Sequence, residues 1–339
     1  MVKIKAIILA GGSGERFWPL SNSKTPKQFL KIFSNKSLIR ETYERLVLKL
    51  DPKDIFVITA EKHFDLTKKE LPELPEENII LEPIPRNTAP ACTLATLVAD
   101  KNEVVFILPA DHYIPDVENF WKTIFKAVNA AKEYDGLFTL GIKPTRPETG
   151  YGYIESKNEV EENIFKVKAF REKPNVETAI DFIKKGNFYW NSGMFIWKKD
   201  VFFEEMEKYN SNIIKKLKDV DPRNIEKLRK IMPEVEKISI DYALMEKSKK
   251  VYTIKSNFSW SDVGNWLSVR ELKGYSDENE NVKVVEGKNI YVSSKKFVGV
   301  IGLSNIVVVE TDNGILVANE EKVQKVREIV SELKEKGKF

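Results

Sequence analysis

The hydrophobic and polar positions of the first 140 residues alternate between short apolar runs and helical patterns. The apolar runs are β-branched, have the length of buried strands, and occupy residues 3–10, 54–60, 103–110 and 136–142. The segments between them place apolar side chains on one helical face, at residues 37–50, 88–101 and 116–133. This alternation predicts an α/β fold with a doubly wound, mostly parallel sheet that binds ligands at the carboxyl ends of its strands.

The pattern becomes more mixed beyond residue 150. Short strands are predicted at residues 153–156, 189–197 and 250–255. Helices are predicted at residues 176–186, 199–218 and 239–248. We interpret these elements as an extension of the first domain, which then spans residues 1–275.

A polar stretch at residues 276–281 is typical of a linker and precedes a different pattern. Five short Val/Ile runs follow, at residues 282–285, 290–293, 297–301, 306–310 and 315–318. They predict a small β appendage within a second domain, 282–339, built as hairpins or as coils of a β-helix. Residues 320–336 predict a terminal helix whose apolar stripe is Val323, Val326, Ile329, Val330 and Leu333.

Composition narrows the class of protein. With 42% hydrophobic and 31% charged residues, the 339-residue chain can form a packed core and is not disordered. A net charge of only +4, without blocks of like charge, argues against binding to nucleic acid or to a membrane surface. No apolar run approaches the roughly 18 residues of a membrane span, and the N-terminal run is too short for a signal peptide. We therefore expect a cytoplasmic protein.

Cysteine and histidine are scarce. The only cysteine, Cys92, excludes an internal disulfide, and two histidines leave no Cys/His cluster for zinc. Any metal would therefore be a hard cation bound by oxygen atoms.

A glycine-rich segment follows the first strand directly and comprises Leu9, Ala10, Gly11, Gly12, Ser13 and Gly14. Backbone N–H groups can converge on a phosphate there, although a tight strand-to-helix turn is the alternative. A dinucleotide fingerprint needs glycine where Phe17 stands, and a Walker A loop needs glycine where Ser23 precedes Lys24. Two cations nearby, Arg16 and Lys27, suit a triphosphate whose charge must be neutralised.

At this point the chain resembles the sugar-phosphate nucleotidyltransferases, in the branch that joins GTP to mannose 1-phosphate. The resemblance rests on LAGGSGERFWPLS at residues 9–21 and PKQF at residues 26–29. It extends over most of residues 4–270 and, weakly, over the appendage, where it implies a short left-handed β-helix. It implies a Rossmann-like nucleotidyltransferase domain, and we expect a homodimer formed through the appendage or the terminal helix.

The resemblance also assigns residues to the nucleotide and to a metal. It implies that Asp111 of LPADH and Asp262 of WSDVGNW bind Mg²⁺ between the nucleotide phosphates, although either aspartate could instead cap a helix. Glu82 of EPIPRNTAP would accept hydrogen bonds from guanine, with a plain surface glutamate as the alternative. The other residues implied for the nucleotide are Arg86, Asn87, Thr88 and Pro109.

Three further segments resemble the family's sugar-binding half, and they contain Gly152, Glu172, Lys173 and Asn191. Glu172 and Asn191 would bind sugar hydroxyls, and Lys173 would bind the sugar phosphate. Each segment also fits a turn or a core strand, and we expect Trp190, Met194 and Phe195 to be core residues.

The implied reaction is attack by a phosphate oxygen of mannose 1-phosphate on the α-phosphorus of GTP, giving GDP-mannose and pyrophosphate. Arg16, Lys27 and Lys173 would be its catalytic residues, and no covalent enzyme intermediate is needed. Alternatives are another hexose 1-phosphate or nucleoside triphosphate, or a non-catalytic regulatory subunit that binds sugar nucleotides. With too few histidines for a metal-dependent isomerase domain, we expect no mannose-6-phosphate isomerase activity.

Overall fold

The computed structural model describes residues 3–12 and 14–339, which form two compact units. The first unit contains residues 3–11, 42–110 and 114–260. The second contains residues 12–41, 111–113 and 261–339. Both units therefore draw on segments that are far apart in the chain.

A single mixed sheet organises the first unit. Its strands are β1 (Ile4–Ala10), β2 (Ile55–Ala60), β3 (Ile79–Glu82), β4 (Val104–Pro109), β5 (Leu137–Ile142), β6 (Gly152–Glu161), β7 (Ile164–Glu172), β8 (Phe188–Lys198) and β9 (Val251–Ser256). Their order is β3-β2-β1-β4-β8-β5-β9-β7-β6, with β8 also paired to β6. The apolar runs predicted as strands are thus confirmed, and their side chains are buried in the sheet.

The sheet is parallel only in part. Strands β3, β2, β1 and β4 are parallel neighbours, and β5 pairs in parallel with β9. Strand β3 was not predicted from the sequence. Strand β8 is antiparallel to β4 and β5, and β6 and β7 form an antiparallel pair. Strands joined by a hairpin run in opposite directions, as β6 and β7 do. The α/β class is confirmed, but the second half of the sheet is mixed rather than parallel.

The helices are α1 (Leu38–Val47), α2 (Phe64–Glu70), α3 (Thr88–Leu97), α4 (Val117–Glu133), α5 (Val176–Lys185), α6 (Lys199–Leu217), α7 (Ile225–Ile231), α8 (Trp266–Lys273) and α9 (Val326–Glu335). Several begin at side-chain caps, as where Asp116 accepts from the backbone N–H of Asn119 at the start of α4. None of the helices formed by the described residues combines the length and apolar character that crossing a bilayer requires.

The second unit contains the five predicted short strands, β10 (Val282–Val285), β11 (Lys288–Ser293), β12 (Val298–Ile301), β13 (Ser304–Thr311) and β14 (Gly314–Asn319). Strands β10 and β12 pair in parallel, as do β11 and β13, which is the stacking of β-helix coils. Strand β14 returns antiparallel to β13 as a hairpin. Both arrangements left open by the sequence pattern therefore occur.

Three local predictions need correction. The helix predicted at 239–248 is a short π-helix, Asp241–Met245. The terminal helix divides into a 3₁₀ segment, Glu320–Lys325, and α9, and Ile329 of its predicted stripe is 42% exposed. The segment at 276–281 is tied to the following strands, because Asp277 accepts from the backbone N–H groups of Asn289 and Ile290.

Strand β7 was not predicted, although its apolar and charged residues alternate.

Candidate active site

A cavity of about 360 Å³ in the second unit brings together charged residues predicted for the triphosphate and the metal. We call it the Lys27 cavity. The predicted residues in its wall are Gly12, Gly14, Arg16, Lys27, Asp111 and Asp262. His112, which we did not assign to a ligand, also lies in the wall.

A short β-bridge joins the segments that carry the two aspartates. The backbone N–H of Tyr113 donates to the carbonyl of Ser261 at 2.9 Å, and the N–H of Ser261 donates back at 3.0 Å. Val263, immediately after Asp262, has a positive φ of 47°, which is rare for a β-branched residue. Such strain persists only where surrounding contacts enforce it, and it occurs often at functional sites.

Lys27 lies between the two aspartate segments. Its Nζ is 2.7 Å from Oδ2 of Asp111 and donates to the main-chain carbonyl of Asp262 at 2.5 Å. Only 8% of Lys27 is exposed, and its ammonium group lies 5.7 Å from the ring centre of Phe17. Burial alone would raise the pKa of Asp111, but the charges of Lys27 and His112, together with the hydrogen bond from Lys27, outweigh it. The pKa of Asp111 is therefore lowered and the carboxylate stays ionised.

The glycine loop approaches Lys27 so closely that a side chain cannot fit at Gly14. A methyl group there would lie 2.4 Å from the backbone nitrogen of Lys27, and the φ of Gly14 is +67°. Ser21 Oγ donates to the Gly14 carbonyl at 2.7 Å and holds the loop in this shape. Glycine is therefore required at this position for both steric and conformational reasons.

The donor atoms of the cavity suit a hard cation. Asp111 and Asp262 supply carboxylate oxygens, and no group of three or more His, Cys, Asp or Glu side chains able to hold a metal ion occurs within residues 3–12 and 14–339. A cation bound here would complete its coordination with water and phosphate oxygens, as Mg²⁺ does in nucleotide sites. A zinc-type cluster does not fit these residues.

Glu82 is a buried acceptor at the end of β3. It is only 3% exposed, and its Oε1 has no hydrogen-bond partner within the described chain. Burial raises the pKa of Glu82 from its ordinary value of 4.5 to about 7. A methyl group at Gly11 would lie 3.5 Å from Oε2 of Glu82, so this carboxyl group lies beside the start of the glycine loop.

The other residues predicted for the nucleotide make structural contacts. Arg86 Nε donates to the Met232 carbonyl at 2.8 Å, and Arg86 also donates to the carbonyl of Pro233. Asn87 caps α3, and Thr88 Oγ1 accepts from the backbone N–H of Ile240. Direct contact of these three side chains with a nucleotide stays a prediction.

The remaining residues predicted for the nucleotide lie at strand ends or outside the described residues. Leu9 and Pro109 are register partners in the parallel pair of β1 and β4, and Ala10 is the last residue of β1. They lie at the carboxyl end of the sheet, where ligands of such folds bind. Ser13 lies outside the described residues.

The residues predicted for the sugar meet in the first unit. Gly152 on β6 is the register partner of Glu172 on β7, and Trp190, next to Asn191 on β8, pairs with Tyr153. A methyl group at Gly152 would lie 2.5 Å from Oε2 of Glu172 and 3.6 Å from Cβ of Asn191. Glycine therefore keeps a small opening bordered by the Glu172 carboxylate.

Lys173 is largely exposed, whereas the hydrophobic residues on either side of Asn191 are buried. Lys173 has a φ of +47° and forms an ion pair with Glu172, with more than half of its side chain exposed. Trp190, Met194 and Phe195 are buried, as predicted for core residues.

The sequence did not reveal Asp241, the first residue of the short π-helix. Its Oδ1 accepts from Asn191 Nδ2 at 2.8 Å, while Asn191 Oδ1 accepts from Thr139 Oγ1 at 3.1 Å and from the N–H of Gly193 at 3.2 Å. Burial raises the pKa of Asp241 to about 6, helped by the nearby Glu172 charge. Asp241 thus orients Asn191 through a contact that no sequence pattern shows, although π-helices occur often at functional sites.

Comparison with known proteins gives the same picture over nearly the whole chain. A family model described as nucleotidyl transferase matches residues 5–278, and a model described as a mannose-phosphate isomerase/GMP-like β-helix domain matches residues 279–333. A mannose-1-phosphate guanylyltransferase from Salmonella montevideo is 40% identical over 354 residues, covering 98% of this chain and 74% of that protein.

Two solved structures are also similar. One, from Thermus thermophilus, is described as a mannose-1-phosphate geranyltransferase; it has a TM-score of 0.88 and 30% identity, covering 98% of this chain and 100% of that one. The other, described as a mannose-6-phosphate isomerase from Helicobacter pylori, has a TM-score of 0.64 and 34% identity, covering 77% of this chain and 100% of that one.

Proposed function

Because the chain belongs to the nucleotidyl transferase family, we propose that it transfers GMP from GTP to mannose 1-phosphate, giving GDP-mannose and pyrophosphate. The observation that carries the proposal is the Lys27 cavity, where Arg16, Lys27, Asp111 and Asp262 face one space. A catalytic role for them explains why one buried and three half-buried charges face the same space beside the glycine loop. The similarity to the Salmonella guanylyltransferase supports the choice of substrates.

Nucleotidyltransferases generally use a divalent metal ion, and we propose Mg²⁺ held by Asp111 and Asp262. When bound, Mg²⁺ would supply charge neutralisation on the nucleotide phosphates. The two carboxylates fit this ion because both offer oxygen donors and because the low pKa of Asp111 keeps it ionised.

The protein side chains would position the substrates for direct displacement. We assign Arg16 and Lys27 to the triphosphate and Lys173 to the phosphate of the sugar. Glu172 would accept hydrogen bonds from sugar hydroxyls, and Asn191, oriented by Asp241, would donate to them. An ionised phosphate oxygen needs no general base to attack phosphorus, so positioning and charge stabilisation supply the catalysis.

A pyrophosphate-release assay tests the substrate assignment. Purified protein would be incubated with each pair from a grid of GTP, ATP, UTP and dTTP against mannose, glucose and galactose 1-phosphates, with and without Mg²⁺. We expect the highest kcat/KM for GTP with mannose 1-phosphate, and release only with the metal. A higher kcat/KM for another pair would show that the protein uses different substrates. No release of pyrophosphate from any pair would favour a regulatory subunit. An added mannose 6-phosphate arm checks the expected lack of isomerase activity.

We propose that Glu82 recognises guanine, because its carboxylate can accept from both N1–H and N2–H₂ of that base. Glu82→Gln is therefore expected to weaken GTP binding about tenfold at pH 8, which corresponds to one charged hydrogen bond. Wild-type affinity for GTP should fall as pH drops below about 7, where Glu82 takes up a proton, whereas the affinity of the variant should not change over this range. Calorimetric titration of GTP at several pH values measures both effects.

The same substitution is expected to stabilise the fold. The folded-state pKa of Glu82 is raised from 4.5 to about 7, so its contribution to stability is fully present below pH 4.5 and is lost as pH rises through 7. The shift corresponds to about 3 kcal/mol, and Glu82→Gln should recover about 1–3 kcal/mol of unfolding free energy at pH 8 but little at pH 4.5. Urea denaturation at both pH values, with the exposed Glu77→Gln as control, checks this. Equal GTP binding by variant and wild type would contradict the guanine role.

We propose that the protein is a homodimer formed through the β appendage. Large apolar side chains on its strands and turns are half or more exposed, namely Phe297, Ile301, Leu303, Ile315 and Val317. Large apolar side chains that stay exposed on one small appendage are candidates for an interface with another chain. Light scattering should give the mass of two chains, and Ile301→Glu should shift the protein towards one chain. A wild-type mass of one chain would contradict the proposal.

A cytoplasmic location is also our proposal. It is supported by the apolar run near the N-terminus, which forms strand β1 and pairs with both β2 and β4. Both proposed substrates are phosphorylated metabolites, which cells hold in that compartment.

A further inference from the structure

The terminal helix α9 places an arginine in the wall of the Lys27 cavity. Arg327 is exposed, and its side chain makes neither an ion pair nor a hydrogen bond with the described residues. Its neighbours in that wall include Arg16 and Lys27. The residue belongs to the segment matched by the β-helix family model rather than to the nucleotidyl transferase match.

Two contacts hold α9 against the turn that carries Arg16. Val326 and Val330 are buried, and Val326 belongs to the same apolar cluster as Phe17. Lys334, two turns further along α9, forms an ion pair with Glu15. The backbone at Arg327 is therefore fixed beside residues 15–17, and only its side chain is left to move.

The charge balance of the cavity favours an anion at Arg327. Lys27 is already compensated by Asp111, and Glu15 is compensated by Lys334. Arg16 and Asp262 add one charge of each sign to the wall, so Arg327 is its surplus positive charge. An incoming polyphosphate adds several negative charges, and the planar guanidinium of arginine binds two phosphate oxygens at once. Arg327, whose side chain is unpaired, supplies such a guanidinium without first breaking a contact.

We propose that Arg327 binds the pyrophosphate portion of GTP, and the released pyrophosphate, in the Lys27 cavity. The proposal rests on the proposed function and extends it: the C-terminal segment contributes a substrate-binding side chain as well as structure. Because GDP-mannose and mannose 1-phosphate lack that portion, Arg327 should distinguish ligands that carry the β,γ-phosphates from those that do not.

Calorimetric titration of the full chain in Mg²⁺ buffer tests this, with GTP, inorganic pyrophosphate and GDP-mannose as separate ligands. For Arg327→Ala we expect the Kd for GTP and pyrophosphate to rise about tenfold, the loss of one charge-assisted contact, with the Kd for GDP-mannose changed less than twofold. Arg327→Lys should fall between Arg327→Ala and the wild type, because it keeps the charge but loses the planar fork. Lys322→Ala removes a nearby exposed charge outside the cavity wall and should bind all three ligands normally.

The outcomes separate the two proposals. If folded Arg327→Ala binds pyrophosphate as tightly as the wild type, or if it loses all three ligands equally, the role of Arg327 is overturned while the proposed function stands. If Arg327→Ala does not fold, Arg327→Lys decides, and wild-type pyrophosphate affinity in that variant overturns the role. If the wild type binds neither GTP nor GDP-mannose, both proposals are overturned.

Discussion

Replacing Asp111 or Asp262 with asparagine is expected to reduce kcat about 10³-fold, equal to about 4 kcal/mol of transition-state stabilisation. Each substitution preserves the shape of the side chain and removes one of the negative charges that line the Lys27 cavity. Asp262→Asn keeps the contact in which the main-chain oxygen of Asp262 accepts from Lys27. Asp111→Asn should also lower stability, because it breaks the ion pair with Lys27.

Steady-state turnover with GTP and mannose 1-phosphate, together with urea denaturation, measures these effects. Asp181→Asn on the exposed face of α5 makes the same chemical change away from the cavity, and it should keep wild-type kcat. Turnover within threefold of the wild type in either cavity variant would show that the carboxylates do not take part in the chemistry.

Lys27→Met is expected to reduce kcat/KM about 10²-fold to 10³-fold and to lower the unfolding free energy by about 2 kcal/mol. The activity loss follows from removing a preorganised cation, and the stability loss follows from leaving Asp111 without its partner. The double variant Lys27→Met/Asp111→Asn should regain much of the lost stability, because it also removes the uncompensated carboxylate. It should regain no activity.

Lys31→Met provides the matched control, since Lys31 is exposed and lies in the same segment as Lys27. It should match the wild type in activity and stability. Strictly additive stability losses in the double variant would contradict the coupling of Lys27 to Asp111, and undiminished kcat/KM in Lys27→Met would contradict its role in the reaction.

Much of the fold could be predicted because buried strands have a distinct local pattern. The runs that become β1, β2 and β4 are apolar at nearly every position, since both faces of a central strand are covered, with Lys5 and Thr59 as the exceptions. The position of β8 between β4 and β5 could not be predicted, because strand order depends on pairings between distant segments. Periodicity also could not distinguish the parallel coils from the hairpin of the appendage, since both use short alternating strands.

The site residues divide in a similar way. The charge of Lys27 beside the glycine loop and the family resemblance of the Asp111 and Asp262 segments pointed to these residues, and all three lie in the wall of one cavity. Their connection through the Lys27 ammonium group and the Tyr113–Ser261 bridge depends on tertiary contacts and has no local signal. Asp241 and Arg327 are missing from the motifs because one sits in a π-helix and the other on an ordinary amphipathic helix.

An isotope-tracing experiment tests the central claim most directly. Mannose 1-phosphate labelled with ¹⁸O in the non-bridging oxygens of its phosphate would be incubated with GTP, Mg²⁺ and the protein, and the products followed by ³¹P NMR. Direct attack on the α-phosphorus predicts GDP-mannose with ¹⁸O in the bridge between its two phosphorus atoms, and unlabelled pyrophosphate. Labelled pyrophosphate, an unlabelled bridge, or no GDP-mannose would contradict GMP transfer by this protein.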